Sequence, residues 1–160
     1  MAKKKYGRFS SKTSGNKKIK NAKKHTYDGV EFRSGLEVYM YKQLKANNIP
    51  FRYEQDKYVI MEKFTCENTC WATNKDGIFT ESKPNIRNIE YNPDFVGINQ
   101  EFIVETKGFE TPEFKIKYKL FKQYLKDNNI KCTLYMPHNQ KECNKVIELI
   151  LESRKNENTI

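Results

Sequence analysis

No uninterrupted apolar run in this chain of 160 residues approaches the roughly 20 that a membrane-spanning helix needs. The Lys-rich amino terminus is not followed by the apolar segment of a secretory signal. A soluble, cytoplasmic protein with no membrane partner is therefore expected. Cysteine is scarce. Cys66, Cys70, Cys132 and Cys143 are too few and too unevenly placed to frame a small secreted scaffold, so reduced thiols are expected. Histidine is scarcer still: His25 lies in a basic segment and His138 follows a proline before a helix, so neither is placed as a general base. No internal repeat is visible. With 37% hydrophobic residues, ten Tyr and ten Phe, the composition suits one core and one domain.

The most informative absence is of acid. Residues 1–27 hold Lys3, Lys4, Lys5, Arg8, Lys12, Lys17, Lys18, Lys20, Lys23 and Lys24, ten cations, without one Asp or Glu. Of thirty Lys and Arg, the twenty that remain face twenty acids, so residues 28–160 are formally neutral and the net charge of +10 sits in the tail. A segment of Lys, Ser, Gly and Asn buries too little apolar surface to fold alone, and a polyanion is its natural partner. Nucleic acid leads, because each phosphate neutralised releases counterions. The expected organisation is a flexible basic tail, 1–27, and a single domain, 28–160.

Within that domain Ser34 can cap a helix whose apolar positions Leu36, Met40 and Leu44 recur every four residues, until Asn47, Asn48 and Pro50 end it. Phe51–Ile60 reads as a strand. Residues 61–90 are polar and irregular, with four cations against five acids, and read as an insertion or extended loop with a short hairpin around Asp76 and Gly77. Phe95–Ile98 and Phe102–Thr106 suggest a hairpin, and Thr111 and Pro112 open a helix striped with Phe114, Tyr118, Phe121 and Leu125. A buried strand from Ile130 to Met136 follows. The closing helix is capped by Asn139, with Cys143, Val146, Ile147, Ile150 and Leu151 inward. This order predicts a mixed α/β domain, a small central sheet covered by helices.

Alternation puts Glu105 and Lys107 on one side of their strand, and pairing with the preceding strand brings Asp94 beside them. Two carboxylates held that close repel unless a cation neutralises them. Mg²⁺ does so with one or two carboxylates, completing its shell with waters and phosphate oxygens. It also acidifies bound water and stabilises charge on a phosphate under attack, the chemistry of phosphodiester hydrolysis. Alone, an acid followed by Glu-x-Lys is a common pattern, and an exposed ion pair beside an Asn-Pro-Asp turn would explain it as well. Phe102, Ile103 and Val104 argue against that, since they make the strand interior. Ser34 and Glu37, from spacing alone, read as a capping box.

Pro93-Asp94 followed by Glu105-Thr106-Lys107 resembles the PD-(D/E)xK nuclease superfamily. The strings FRSGLE (32–37), IPFRYE (49–54), YNPDF (91–95) and FIVETKG (102–108) resemble, in the same order, the phage Holliday junction resolvases of the T7 endonuclease I type. The resemblance covers residues 30 to about 125 and is weaker in the tail, in 61–90 and in the last helix. It implies a restriction-endonuclease-like core and a Mg²⁺-dependent endodeoxyribonuclease of branched or four-way DNA, with Mn²⁺ as substitute. It also implies an active site of Glu37, Asp94, Glu105 and Lys107. Asp94, Glu105 and the Thr106 carbonyl would hold one metal, and Glu37 with Asp94 would approach a second. The family enzyme is an intertwined homodimer, in which Glu37 can come from the partner chain. Recognition would fall to backbone charge, from the tail and Arg33. If phage-encoded, such an enzyme works in the host cytoplasm.

A less structure-selective phage or transposase-like nuclease of the same fold is the nearest alternative, and a non-catalytic DNA-binding module the next. The latter has no need of four catalytic-type residues. Cys66 and Cys70 permit two zinc ligands, with Cys132, Cys143 or His138 to complete them. The second pair is not a tight motif, so a structural Zn²⁺ is not the expectation.

Overall fold

A computed structural model describes residues 24–157. Its chain order is β1 (His25–Tyr27), β2 (Val30–Phe32), α1 (Gly35–Ala46), β3 (Phe51–Tyr53), β4 (Tyr58–Met61), β5 (Phe64–Thr65), β6 (Cys70–Thr73), β7 (Phe79–Ser82), β8 (Asn85–Ile86), β9 (Ile89–Tyr91), β10 (Phe95–Gly97), β11 (Phe102–Val104), α2 (Pro112–Asp127), β12 (Thr133–Tyr135) and α3 (Gln140–Glu157). No helix among the described residues is long and apolar enough to cross a membrane.

The centre is a four-stranded sheet in the order β12-β11-β10-β3, with β11 and β12 parallel and the other pairs antiparallel. Alternation on these strands divides the core in two. Phe95, Phe102 and Val104 face α1 and α3, where they join Phe32, Met40, Leu44, Cys143, Val146, Ile147 and Ile150. Val96 and Ile103 face the other way, onto Phe121 and Leu125 of α2 with Tyr58 and Tyr91. The molecule is thus an α/β domain with helices on both faces of a small mixed sheet. Caps fix both helix starts: the Ser34 hydroxyl accepts from the Glu37 amide, and the Thr111 hydroxyl from the Phe114 amide with Pro112 in the first turn.

Three expectations change. The single strand over Phe51–Ile60 is two strands, broken where Glu54 takes a positive φ of 48° and Arg52 forks onto Asp56 at 2.8 and 2.9 Å. The irregular 61–90 segment is an arm of nested antiparallel pairs, β4 with β9, β5 with β8 and β6 with β7. The hairpin at Asp76-Gly77 is its tip, where the Asn74 side chain accepts from the Asp76 and Ile78 amides. His25–Tyr27, placed in the tail by charge, are a strand paired with Val30–Phe32.

Candidate active site

β10 and β11 pair with Phe95 opposite Val104, so the next rung carries Asp94 opposite Glu105. All of this end is buried: Asp94 is 8% exposed, Glu105 4% and Thr106 5%, an unusual depth for carboxylates without a full set of cations. The Thr106 amide and hydroxyl each donate to Asp94 Oδ2 at 2.7 Å. Glu105 is held at both oxygens, Oε1 by the Lys107 ammonium at 2.5 Å and Oε2 by the Tyr91 hydroxyl at 2.9 Å. The strand's hydrogen bonding runs on past Val104: the Glu105 amide donates to Tyr135 O and the Lys107 amide to Pro137 O, each at 3.0 Å. Glu105 and Lys107 are therefore on regular backbone, which puts both side chains on one side as the alternation predicts.

Glu37 comes from the first turn of α1 and is also buried. It serves as a cap and as a site residue together. Oε1 accepts from the Ser34 hydroxyl at 2.8 Å, and Oε2 accepts from the Arg33 amide at 3.0 Å and the Tyr53 hydroxyl at 2.7 Å. The reciprocal bond of this box thus lands on the Arg33 amide, one residue before the cap. Oxygens of Glu37, Glu54 and Asp94 lie within 4.8 Å of one another. Burial first, then the Glu105 carboxylate and, more weakly, Glu37, push the Asp94 carboxyl up to about 8, against the hydrogen bonds from Thr106. Hard oxygen donors crowded to that degree suit a divalent cation such as Mg²⁺. Glu105 does not join this three-acid group.

Glu54 was not singled out from the sequence. It ends the string FRYE, and its approach to the site depends on its left-handed backbone and on its amide, which donates to Asp94 O at 2.9 Å. A non-glycine residue with positive φ beside a carboxylate cluster is a signal visible only in three dimensions. Arg33 pairs with Glu54 at 3.0 Å.

Arg33, Glu37, Asp94, Glu105, Lys107 and Lys117, among others, line a cleft of about 790 Å³. A second cleft, of about 560 Å³, lies between Tyr41, Ile49, Phe51 and Ile98, but none of the clustered acids lines it. The other residues weighed from the sequence do not line the first cleft. Cys143 is in the core, Cys132 packs under α2, and Cys66 and Cys70 sit on the arm with sulfurs 3.8 Å apart. His138 Nδ1 is 2.6 Å from the Lys107 carbonyl. Lys24 faces Glu31 at 3.9 Å on the surface. Lys3, Lys4, Lys5, Arg8, Lys12, Lys17, Lys18, Lys20 and Lys23 lie outside the described residues.

A family profile described as "Protein of unknown function (DUF1064)" matches residues 17–140. The chain belongs to this family. No curated protein and no solved structure matches it. The matched span contains Glu37, Glu54, Asp94, Glu105 and Lys107, with the whole arm and α2, so every residue of the cleft belongs to the DUF1064 region.

Proposed function

We propose that this protein is a metal-dependent endodeoxyribonuclease with a restriction-endonuclease-like core, which cuts four-way (Holliday) junctions and other branched DNA. One observation carries the reading: Asp94, Glu105 and Lys107 meet at the end of a buried hairpin and line an open cleft with Glu37, while Glu54 brings a third carboxylate within 4.8 Å of Glu37 and Asp94. Asp94, Glu37 and Glu54 would hold Mg²⁺, with Mn²⁺ as a substitute and Glu105 and the Thr106 carbonyl beside them. When bound, such an ion supplies positive charge to phosphate oxygens and acidifies water.

The chain's own residues do the rest. Lys107, partly exposed at the cleft, orients the attacking water and neutralises charge that builds on the phosphate. Tyr91 and Tyr53 hold Glu105 and Glu37 in fixed rotamers by donating to them, so the acids do not reorganise when DNA arrives. Arg33 and Lys117 line the cleft as cations for the flanking phosphates. A two-fold homodimer, intertwined as in the resolvases the sequence resembles, would present two such clefts to two symmetry-related strands.

The test is to incubate the full chain with a labelled four-way junction and a matching linear duplex, in Mg²⁺ and in chelator. Mg²⁺-dependent cutting of the junction in preference to the duplex is expected. Equal cutting of both would leave a less selective nuclease, and no cutting with any divalent ion would remove the enzyme reading.

A further inference from the structure

The formal neutrality of residues 28–160 hides a local imbalance. α2 carries Lys115, Lys117, Lys119, Lys122 and Lys126, and its acids are confined to Glu113 in the first turn and Asp127 at the end. α3 differs: its cations alternate with Glu142, Glu148 and Glu152, as in the Lys145–Glu148 pair at 2.8 Å. Lys115, Lys119, Lys122 and Lys126 are all exposed, and their spacing of four, three and four residues puts them on one flank of α2. At 1.5 Å per residue the row is about 16 Å long, the rise of roughly five base pairs. Lys115, Lys119 and Lys126 make no ion pair among the described residues, whereas Lys117, on the other flank, is paired with Glu113 at 3.3 Å. Like charges three and four residues apart disfavour the helix that bears them. A row of this kind is relieved by a polyanion.

The row is joined to the cleft by stacked rings. Lys107 Nζ stands 4.3 Å over Phe114, Phe114 stacks on Tyr118 with centroids 5.5 Å apart and planes at 16°, and Lys122 Nζ stands 4.4 Å over Tyr118.

We propose that Lys115, Lys119, Lys122 and Lys126 form a track for the phosphodiester backbone of the nucleic acid whose scissile bond enters the cleft. The inference rests on the nuclease reading for the identity of its ligand. It adds a fixed, domain-borne contact to the basic segment at the amino terminus.

The test compares the full chain with a K115Q/K119Q/K126Q variant, which keeps helix-favouring side chains and spares Lys122 on its ring. A K141Q/K145Q/K155Q variant removes the same charge from α3. Affinity for a labelled duplex is measured in chelator from about 50 to 200 mM NaCl. With about 0.9 of slope per phosphate contact, the α2 variant should flatten the plot of log K against log salt by about 2 to 3, and the α3 variant by less than about 1. Hydrolysis of a small chromogenic phosphodiester in Mn²⁺ should be equal in the wild type and the α2 variant. An unchanged slope in the α2 variant, or an equal loss in the α3 variant, overturns the track. A flattened α2 slope in a protein that hydrolyses neither DNA nor the small diester keeps the track and removes the nuclease reading.

Discussion

Thr106 donates twice to a single oxygen of Asp94, from its amide and from its hydroxyl, both at 2.7 Å. The pair ties the end of one central strand to the start of its neighbour and fixes the carboxylate on which the cluster converges. Thr106→Val keeps the shape and the amide but removes one donor to a buried carboxyl group. A loss of about 1 to 2 kcal/mol in urea denaturation is expected, with a several-fold rise in the Mg²⁺ needed for half-maximal cutting. An unchanged metal requirement would show that Thr106 supports only the fold.

Asp94 also sets a pH dependence. Its folded value is pushed up to about 8 by burial and the neighbouring acids, above its unfolded value of about 3.9. Between those limits the native state keeps a proton that the unfolded chain releases, so in chelator stability falls as pH rises through the window. The urea midpoint should be lower at pH 8 than at pH 5.5. Asp94→Asn retains an acceptor for Thr106 without the charge, so it should flatten that slope, gain more than about 1 kcal/mol at pH 8, and abolish cutting. A variant less stable than the wild type at pH 8 would count against the crowding argument.

Two substitutions separate the structural and catalytic roles of Glu37. Glu37→Gln keeps an oxygen to accept from the Arg33 amide and the Tyr53 hydroxyl and turns its amide to donate to Ser34, whereas Glu37→Ala leaves the Ser34 cap on the backbone amide but strands the Arg33 amide and the Tyr53 hydroxyl. The Gln variant should stay within about 0.5 kcal/mol of the wild type yet lose more than tenfold in cutting rate, and the Ala variant should also lose about 1 to 2 kcal/mol. Full activity in the Gln variant would reduce Glu37 to a cap.

The convergence of Asp94, Glu105 and Lys107 could be read in the sequence because it depends on local rules: strand alternation and a hairpin short enough to fix its register. The helices were legible for a similar reason, since Ser34, Thr111 and Asn139 announce their starts and their apolar stripes repeat. What escaped depends on distant contacts. Glu54 reaches the cluster only because the chain turns at a left-handed residue that no propensity favours. The arm escaped because its strands are two to four residues long and largely exposed, without the alternating burial that reveals a strand. The α2 lysines escaped because charge summed over residues 28–160 cancels, while charge on one helix flank does not.

The arm should be dispensable for folding. Neither core cluster includes a residue between Lys63 and Arg87, and the lone Trp, Trp71, is 57% exposed and rests mainly on Phe79. Replacing residues 63–87 with an Asn-Gly turn should change stability by less than about 1 kcal/mol when followed by far-UV circular dichroism. In the intact chain, tryptophan emission should already resemble that of solvated indole. Loss of cooperative unfolding in the shortened chain would mean that the arm completes the core.

The most direct test of the central claim is the cutting of a labelled four-way junction by the wild type, Asp94→Asn and Lys107→Ala, each in Mg²⁺ and in chelator, with binding measured in parallel. The account predicts cutting by the wild type in Mg²⁺ alone, and binding without cutting by both variants. Equal cutting by the wild type and Lys107→Ala, or cutting that persists in chelator, would contradict it.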